Sequence, residues 1–187
     1  MGRWEPGARE RLVEAALDLF AEPGFEQTTV ADIASRAGVT ERTFFRHFAD
    51  KREVLFAGSD EFQAAVLAAI EAAPAELSPL EVAAAGMEAA ATLLQSRPDH
   101  EFPRRRAAAI AANRSLQERE LLKLATVTTE SARALESRGV PVVDASVAAE
   151  AAMAAFRLAF ERWVTASEAL DLRLLVWERV AAFRALA

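Results

Sequence analysis

Apolar residues recur at helical spacing along nearly the whole chain, and Ser, Thr, Asp, Gly and Pro interrupt them where helix ends would fall. Leu12, Ala15, Ala16, Leu19 and Phe20 form one apolar stripe, which predicts a first helix over about 8–22, stopped by Pro23-Gly24. Thr29, with Asp32 three residues on, predicts the cap of a second helix whose inner face is Val30, Ile33, Ala34 and Ala37, ending at Gly38. Thr40 caps a third short helix through about Phe48, and Asp50 with Glu53 opens a fourth, expected to run unbroken to Ala73. Ser78-Pro79-Leu80-Glu81 combines a serine cap, proline at the first position and glutamate at the third, a strong start for a fifth helix to about Ser96.

The later pattern predicts helices from Pro103 to near Asn113, from Ser115 to Arg138 with Gly139 as its stop, from Asp144 to about Ser167, and from Asp171 onward. Alternating runs of β-branched and aromatic residues do not arise, and VPVV at 140–143 is too short for a sheet. The fold class expected is all-α, with nine helices and no internal repeat.

Composition narrows the chemistry. Of 187 residues 52% are hydrophobic, but Glu71, Glu88, Glu150 and Arg157 break every long apolar stretch, so no membrane span is predicted. The start, MGRWEPGARER, lacks the apolar run of a signal peptide, and the expected location is the cytoplasm. With no cysteine, and only His47 and His100 far apart, a metal centre, cysteine nucleophile or other cofactor site is not expected. No Gly-rich phosphate loop, HExxH or GxSxG motif points to an enzyme.

The net charge of -6 argues against nucleic acid until its distribution is considered. Between Arg36 and Arg52, five basic residues (Arg36, Arg42, Arg46, Lys51, Arg52) face two acidic ones (Glu41, Asp50), a local +3. The same stretch contains VTERTFFRHFADK, residues 39–51, with three phenylalanines among its cations. Two short helices joined at Gly38 have the form of a helix-turn-helix, whose second helix enters the major groove of DNA. In that geometry Phe44 and Phe48, four apart, bury against Ile33 and the first helix, and Glu41, Arg42, Thr43, Arg46 and His47 remain on faces open to DNA. A purely structural role for the pair, within an enzymatic or ligand-carrying bundle or an interaction protein, is the alternative that spacing alone leaves open.

The residues go further than the spacing. RLVEAALDLFAEPGF followed by FEQTTVADIASRAGVTERTFFRHFADKREVL resembles the N-terminal domain of the tetracycline-repressor (TetR) family of bacterial regulators over about 45 residues. The T-V-x-x-I-A-x-x-A-G-V-T block, the T-F-F-x-H-F helix and the following lysine occur in order. The resemblance implies a DNA-binding domain over 1–52 and a helical ligand-binding and dimerisation domain over 53–187, with the fourth helix as the link. It further implies that Thr29 and Thr43 donate to phosphates, that Arg42 reads base edges, and that His47 and Lys51 hold the DNA backbone. Where many members have tyrosine this chain has Phe45, which has no hydroxyl for a phosphate and would meet a thymine methyl or sugar. Pro23 also departs from the family pattern, as a firmer helix stop. Arg3, Trp4 and Arg9 are candidates for an arm into the minor groove.

The remaining two thirds are strongly apolar. The eighth and ninth helices carry apolar residues on more than one face, so they are expected to be buried on two sides, one of them against a second copy. The candidates for that dimer face are Leu158, Phe160, Trp163, Leu175, Val176 and Phe183. Candidates for a ligand pocket are Phe62, Leu67, Met87, Leu94, Phe102, Leu121, Met153 and Phe156, with plain core as the competing role. RRRAAAIAANRSLQERELLKLA and AAEAAMAAFRLAFERWV are similar to the acyl-CoA-like ligand-binding subgroup of the same family. This second resemblance implies a fatty acid or fatty acyl-CoA effector, with Arg104, Arg105 and Arg106 near the CoA phosphates. The partners expected are therefore a palindromic DNA operator, a small apolar effector and a second copy of the chain.

Overall fold

The computed structural model describes residues 7–97 and 101–186, and every structural statement below concerns these. They form nine α-helices: α1 Ala8–Ala21, α2 Val30–Arg36, α3 Glu41–His47, α4 Ser59–Ala72, α5 Pro79–Gln95, α6 Phe102–Ala111, α7 Arg114–Ser137, α8 Val142–Thr165 and α9 Leu172–Arg184. No strand occurs among the described residues. His100 lies outside them, as do Arg3 and Trp4 of the expected arm. Arg9 is not part of an arm: it sits in α1, donates to the Ala57 carbonyl and lies over the Phe48 ring.

Most predicted caps are present. Thr29 and Ser78 make full capping boxes with Asp32 and Glu81. Four elements differ from expectation. Helix α6 begins at Phe102, ahead of Pro103, and α8 begins at Val142 behind Pro141 and is not capped by Asp144. The seventh helix starts one residue early, because the Asn113 side chain accepts from the backbone N–H groups of Ser115 and Leu116. The fourth is not one helix from Asp50 to Ala73. Asp50 accepts from the N–H groups of Arg52 and Glu53, but the turn it opens is a single 3-10 turn, Glu53–Phe56, and α4 begins only at Ser59. Val54, Leu55 and Phe56 of this turn are all buried. Gly58, just before Ser59, disfavours continuation of that turn into α4.

The chain divides into two compact units, Met1–Gly58 with Arg105–Glu120, and Ser59–Arg104 with Leu121–Ala187. The segment Arg105–Glu120, expected with the second domain, joins the first through polar contacts. Arg105 pairs with Glu14 at 3.2 Å and Asp18 at 2.6 Å. Arg106 donates to the Leu55 carbonyl at 2.7 Å, and Arg119 pairs with Glu53 at 2.6 Å.

In the second unit α5 packs closely against α4, α8 and α9, and α8 against α9. Small residues allow this: Ala83, Ala84, Ala90 and Ala91 of α5 and Ala145, Ala149, Ala152, Ala155 and Ala159 of α8 are fully buried. Gly86 marks the tightest point, since a Cβ there would lie 3.0 Å from Ile70 Cγ1 and 3.1 Å from both Val66 Cγ1 and the Val66 carbonyl oxygen.

Candidate nucleic-acid interface

The first unit is built around α1, whose Leu12, Ala16 and Leu17 are buried and which packs against both α2 and α3. The connection between α2 and α3 is a tight C-terminal motif. Gly38 takes φ +67°, its N–H donates to the Ser35 carbonyl at 3.1 Å, and the Val39 N–H reaches the Ala34 carbonyl at 2.9 Å. Only a residue without a Cβ adopts that backbone without strain. Arg11 of α1 donates to the Ala37 carbonyl at 3.1 Å, tying the same turn down.

Thr40 caps α3 by accepting from the Thr43 N–H at 3.2 Å. The helix then separates its faces as the spacing predicts. Phe44 and Phe48 are buried and their rings lie 5.6 Å apart, and Ile33 of α2 is buried as well. Glu41, Arg42, Phe45, Arg46 and His47 are exposed and Thr43 is half-buried. Arg42 and Arg46 make no hydrogen bond or ion pair with the described residues. Phe45 is 56% exposed, its ring edge-on to Phe44 at 5.4 Å, so it offers an apolar surface and no donor.

The other basic residues of the cluster are engaged within the fold. Arg36 pairs with Glu22 at 3.0 Å, which holds the Glu22 carboxyl below its ordinary range. Arg52 pairs with Asp50 at 2.7 Å. Lys51 was expected in the first turn of a helix, but no helix begins there. Its ammonium donates to the carbonyls of Phe25 at 2.7 Å and Thr28 at 3.0 Å, and lies 4.2 Å from the Phe25 ring centroid. Lys51 therefore fastens the loop between α1 and α2. The Thr29 hydroxyl donates to Asp32 at 2.6 Å and accepts from the Asp32 N–H at 3.1 Å, so its local role is the cap. Of the local +3 read from sequence, the cations facing outward unpaired are Arg42 and Arg46.

The expected ligand and dimer residues divide. Met87, Met153 and Phe156 are buried in one apolar cluster of the second unit, with Phe62 and Leu94 packed against it. Phe62 and Phe156 meet edge to face at 5.4 Å. Leu67 is half-buried on α4 and Phe102 is buried beneath Arg97. Leu121 is exposed, so it lines no interior. The arginines assigned to CoA phosphates have other partners: Arg104 donates to the Ala166 carbonyl at 2.8 Å, and Arg105 and Arg106 belong to the first unit, paired as described above. Of the dimer candidates, Leu158 is half exposed, whereas Leu175 and Val176 are buried in their own protomer's core. Phe160, Trp163 and Phe183 are half-buried, and Trp163 donates to the Leu170 carbonyl at 3.1 Å. Other large apolar residues that are exposed include Val143 and Val147 of α8, on the same side of the helix as Leu158, and Leu174 of α9.

Together these features define a helix-turn-helix protein: a first unit in which α1, α2 and α3 carry a charged exposed helix, and a second helical unit. Residues 12–57 match the family model of bacterial regulatory proteins, tetR family, so the N-terminal segment that carries α1, α2 and α3 is similar to that family's domain. It is 47% identical over 73 residues to the HTH-type transcriptional regulator TcmR of Streptomyces glaucescens, which covers 39% of this chain and 32% of TcmR. It is 45% identical over 47 residues to the HTH-type transcriptional repressor KstR2 of Mycobacterium tuberculosis, covering 25% of this chain and 24% of that protein. These matches span about a third or less of the curated relatives' own length. Over the whole chain the fold is similar to SmeT, the repressor of the Stenotrophomonas maltophilia multidrug efflux pump SmeDEF, with TM-score 0.61 and 22% identity over 95% of this chain and 89% of SmeT. It is also similar to the fatty acid degradation regulator FadR of Bacillus halodurans, with TM-score 0.61 and 18% identity over 96% of this chain and 95% of FadR. No described helix is long and apolar enough to cross a membrane.

Proposed function

We propose that this chain is a transcriptional repressor, and not an enzyme, which binds a palindromic double-stranded operator as a homodimer and releases it when a small apolar effector enters the second unit. The observation that carries the reading is the division of α3. Phe44 and Phe48 lock the helix to α1 and α2, while Arg42 and Arg46 stand outward unpaired, with Thr43, Phe45 and His47 on the same open side. An exposed helix with two unpaired guanidinium groups, in an otherwise acidic chain, is chemically suited to phosphates and guanine edges. The family match falls on the same residues. Lys51 and Thr29 support this surface from behind by fixing the loop and the start of α2.

The exposed stripe Val143, Val147 and Leu158 of α8, and exposed Leu174 of α9, support a two-fold contact with a second copy, the symmetry that a palindromic site matches. For the effector, the apolar cluster around Met87, Met153 and Phe156 supports a small apolar molecule. A fatty acyl-CoA would need cations for its phosphates, and Arg104, Arg105 and Arg106 are already paired. The effector acts through its differential affinity for the free and DNA-bound states, where a coupling of about 1–3 kcal/mol is ordinary.

The test is Arg42→Ala, with binding measured by fluorescence polarisation on duplex from the chain's own promoter region and on random duplex. Loss of the preference for promoter, with non-specific affinity reduced far less, is the expected outcome. Equal losses on the two duplexes contradict a base-reading role for Arg42.

A further inference from the structure

Among the described residues the buried polar or charged side chains are Thr28, Thr128 and Ser131. Thr28 is accounted for, since its hydroxyl donates to the Gly24 carbonyl at 2.8 Å. Thr128 and Ser131 lie three apart on α7, on the face that also carries Val127 and Leu135, which belong to the apolar cluster of the second unit. Along α7 a hydroxyl ordinarily returns to the carbonyl one turn back. Thr126 donates to Leu122, Thr128 to Leu124, Thr129 to Ala125 and Ser137 to Arg133, at 3.0–3.1 Å. Ser131 departs from this pattern. Its hydroxyl is fully buried and has no hydrogen-bond partner. A buried hydroxyl left unpaired is a standing cost to the fold, which a polar group brought in from outside would relieve.

The packing around α7 fits the same reading. The helices α4, α5, α8 and α9 come together closely along small residues, but α7 makes no backbone approach of that closeness to any of them. Its Val127, Ala132 and Leu135 nonetheless belong to the common cluster. The cluster they reach contains Met87, Met153 and Phe156, side chains that re-pack readily around an inserted molecule. No charged side chain among the described residues is buried, so a carboxylate or ammonium taken into this seam would stand unpaired in an apolar setting, at a cost of several kcal/mol.

We propose that the seam of α7 against the α4, α5 and α8 core is the effector site, and that its ligand is an uncharged molecule whose hydroxyl or carbonyl group pairs with Ser131. This deepens the effector part of the proposed function and rests on it. It assigns the polar anchor to one residue, and it selects neutral alcohols, phenols or ketones over fatty acids and acyl-CoA.

The test uses the full chain and two probes of equal length, 1-decanol and decanoate, titrated by calorimetry against wild type and Ser131→Ala. Melting temperatures and operator binding are recorded for the unliganded forms. The expected result has four parts. Wild type binds 1-decanol more tightly than decanoate. Ser131→Ala weakens 1-decanol binding by about fivefold to tenfold, the loss of one hydrogen bond. The unliganded variant melts no lower than wild type, because the hydroxyl had no partner to lose. Its operator binding is unchanged. A preference for decanoate, no binding of 1-decanol, an equal affinity in the variant, or a clearly lower melting temperature for unliganded Ser131→Ala each overturns the assignment. Retained operator binding alongside any of these outcomes leaves the DNA-binding reading standing, whereas a wild-type protein that binds no operator fails that reading separately.

Discussion

Replacing Lys51 by methionine keeps the aliphatic stem and removes the ammonium, which separates two roles for this residue. In the structure the ammonium holds the loop between α1 and α2 through carbonyl contacts of 2.7 Å to Phe25 and 3.0 Å to Thr28, with the Phe25 ring centroid 4.2 Å away. A hydrogen bond to a charged group contributes about 1.5–3 kcal/mol, less where water competes as it does at this half-buried site, so the variant should lose about 2 kcal/mol in total. For a chain of this size that is a fall in Tm of about 4–8 °C. The effect on DNA binding should be indirect, a loss of affinity with the salt dependence preserved. A lysine bound to phosphate would behave in the opposite way: each phosphate contact contributes about 0.9 to the slope of log K against log salt, so a dimer losing two would show a slope smaller by about 1.8. The assays are thermal denaturation and polarisation titrations at four or five salt concentrations. A slope reduced by that amount with an unchanged Tm refutes the positioning role and restores the phosphate contact.

Three further predictions concern the second unit. Gly86→Ala puts a methyl group 3.1 Å from a backbone carbonyl that cannot move aside, so the variant should lose about 1 kcal/mol, overpacking outweighing the better helix propensity; a raised melting temperature contradicts the closeness of α4 and α5. Leu158→Glu and Leu174→Glu place charges at exposed apolar positions and should turn a dimer into a folded monomer in sedimentation, and dimers in both variants would move the interface elsewhere. Glu81 accepts from Ser78 at 2.6 Å and pairs with Arg184 at 2.7 Å, and these partners lower its pKa from 4.5 to about 2. Its folded pKa is depressed, so its contribution is complete above the unfolded value and is lost as pH falls from about 4.5 towards 2; Glu81→Gln should flatten that part of the stability curve, and an unaltered acid limb would show that the carboxylate contributes nothing there.

The fold class, the caps at Thr29, Thr40 and Ser78, and the two faces of α3 were legible because each depends on residues close in sequence. The break before α4 was not, because Asp50 and Glu53 signal a start without saying how far the helix runs, and the turn they open is only Glu53–Phe56. Lys51 illustrates the same limit: its charge and position suit phosphate, and only the fold brings the carbonyls of residues 25 and 28 to it. The three consecutive arginines 104–106 likewise have partners in distant segments that no spacing announces. Ser131 was unremarkable as one hydroxyl among several on α7, and its lack of a partner is visible only when the others are seen to have theirs. On α9, spacing did not reveal that Leu175 and Val176 are buried in their own protomer while Leu174 is exposed, which depends on the rotation of the helix.

The central claim is that the outward face of α3 reads DNA. The most direct measurement is a fluorescence-polarisation titration of the purified chain with duplex from its own promoter region and with random duplex, repeated over a series of salt concentrations. The account predicts a clear preference for the promoter and an affinity that falls steeply with salt, as expected when arginines displace counterions from phosphates. Binding that is indifferent to both sequence and salt would contradict it.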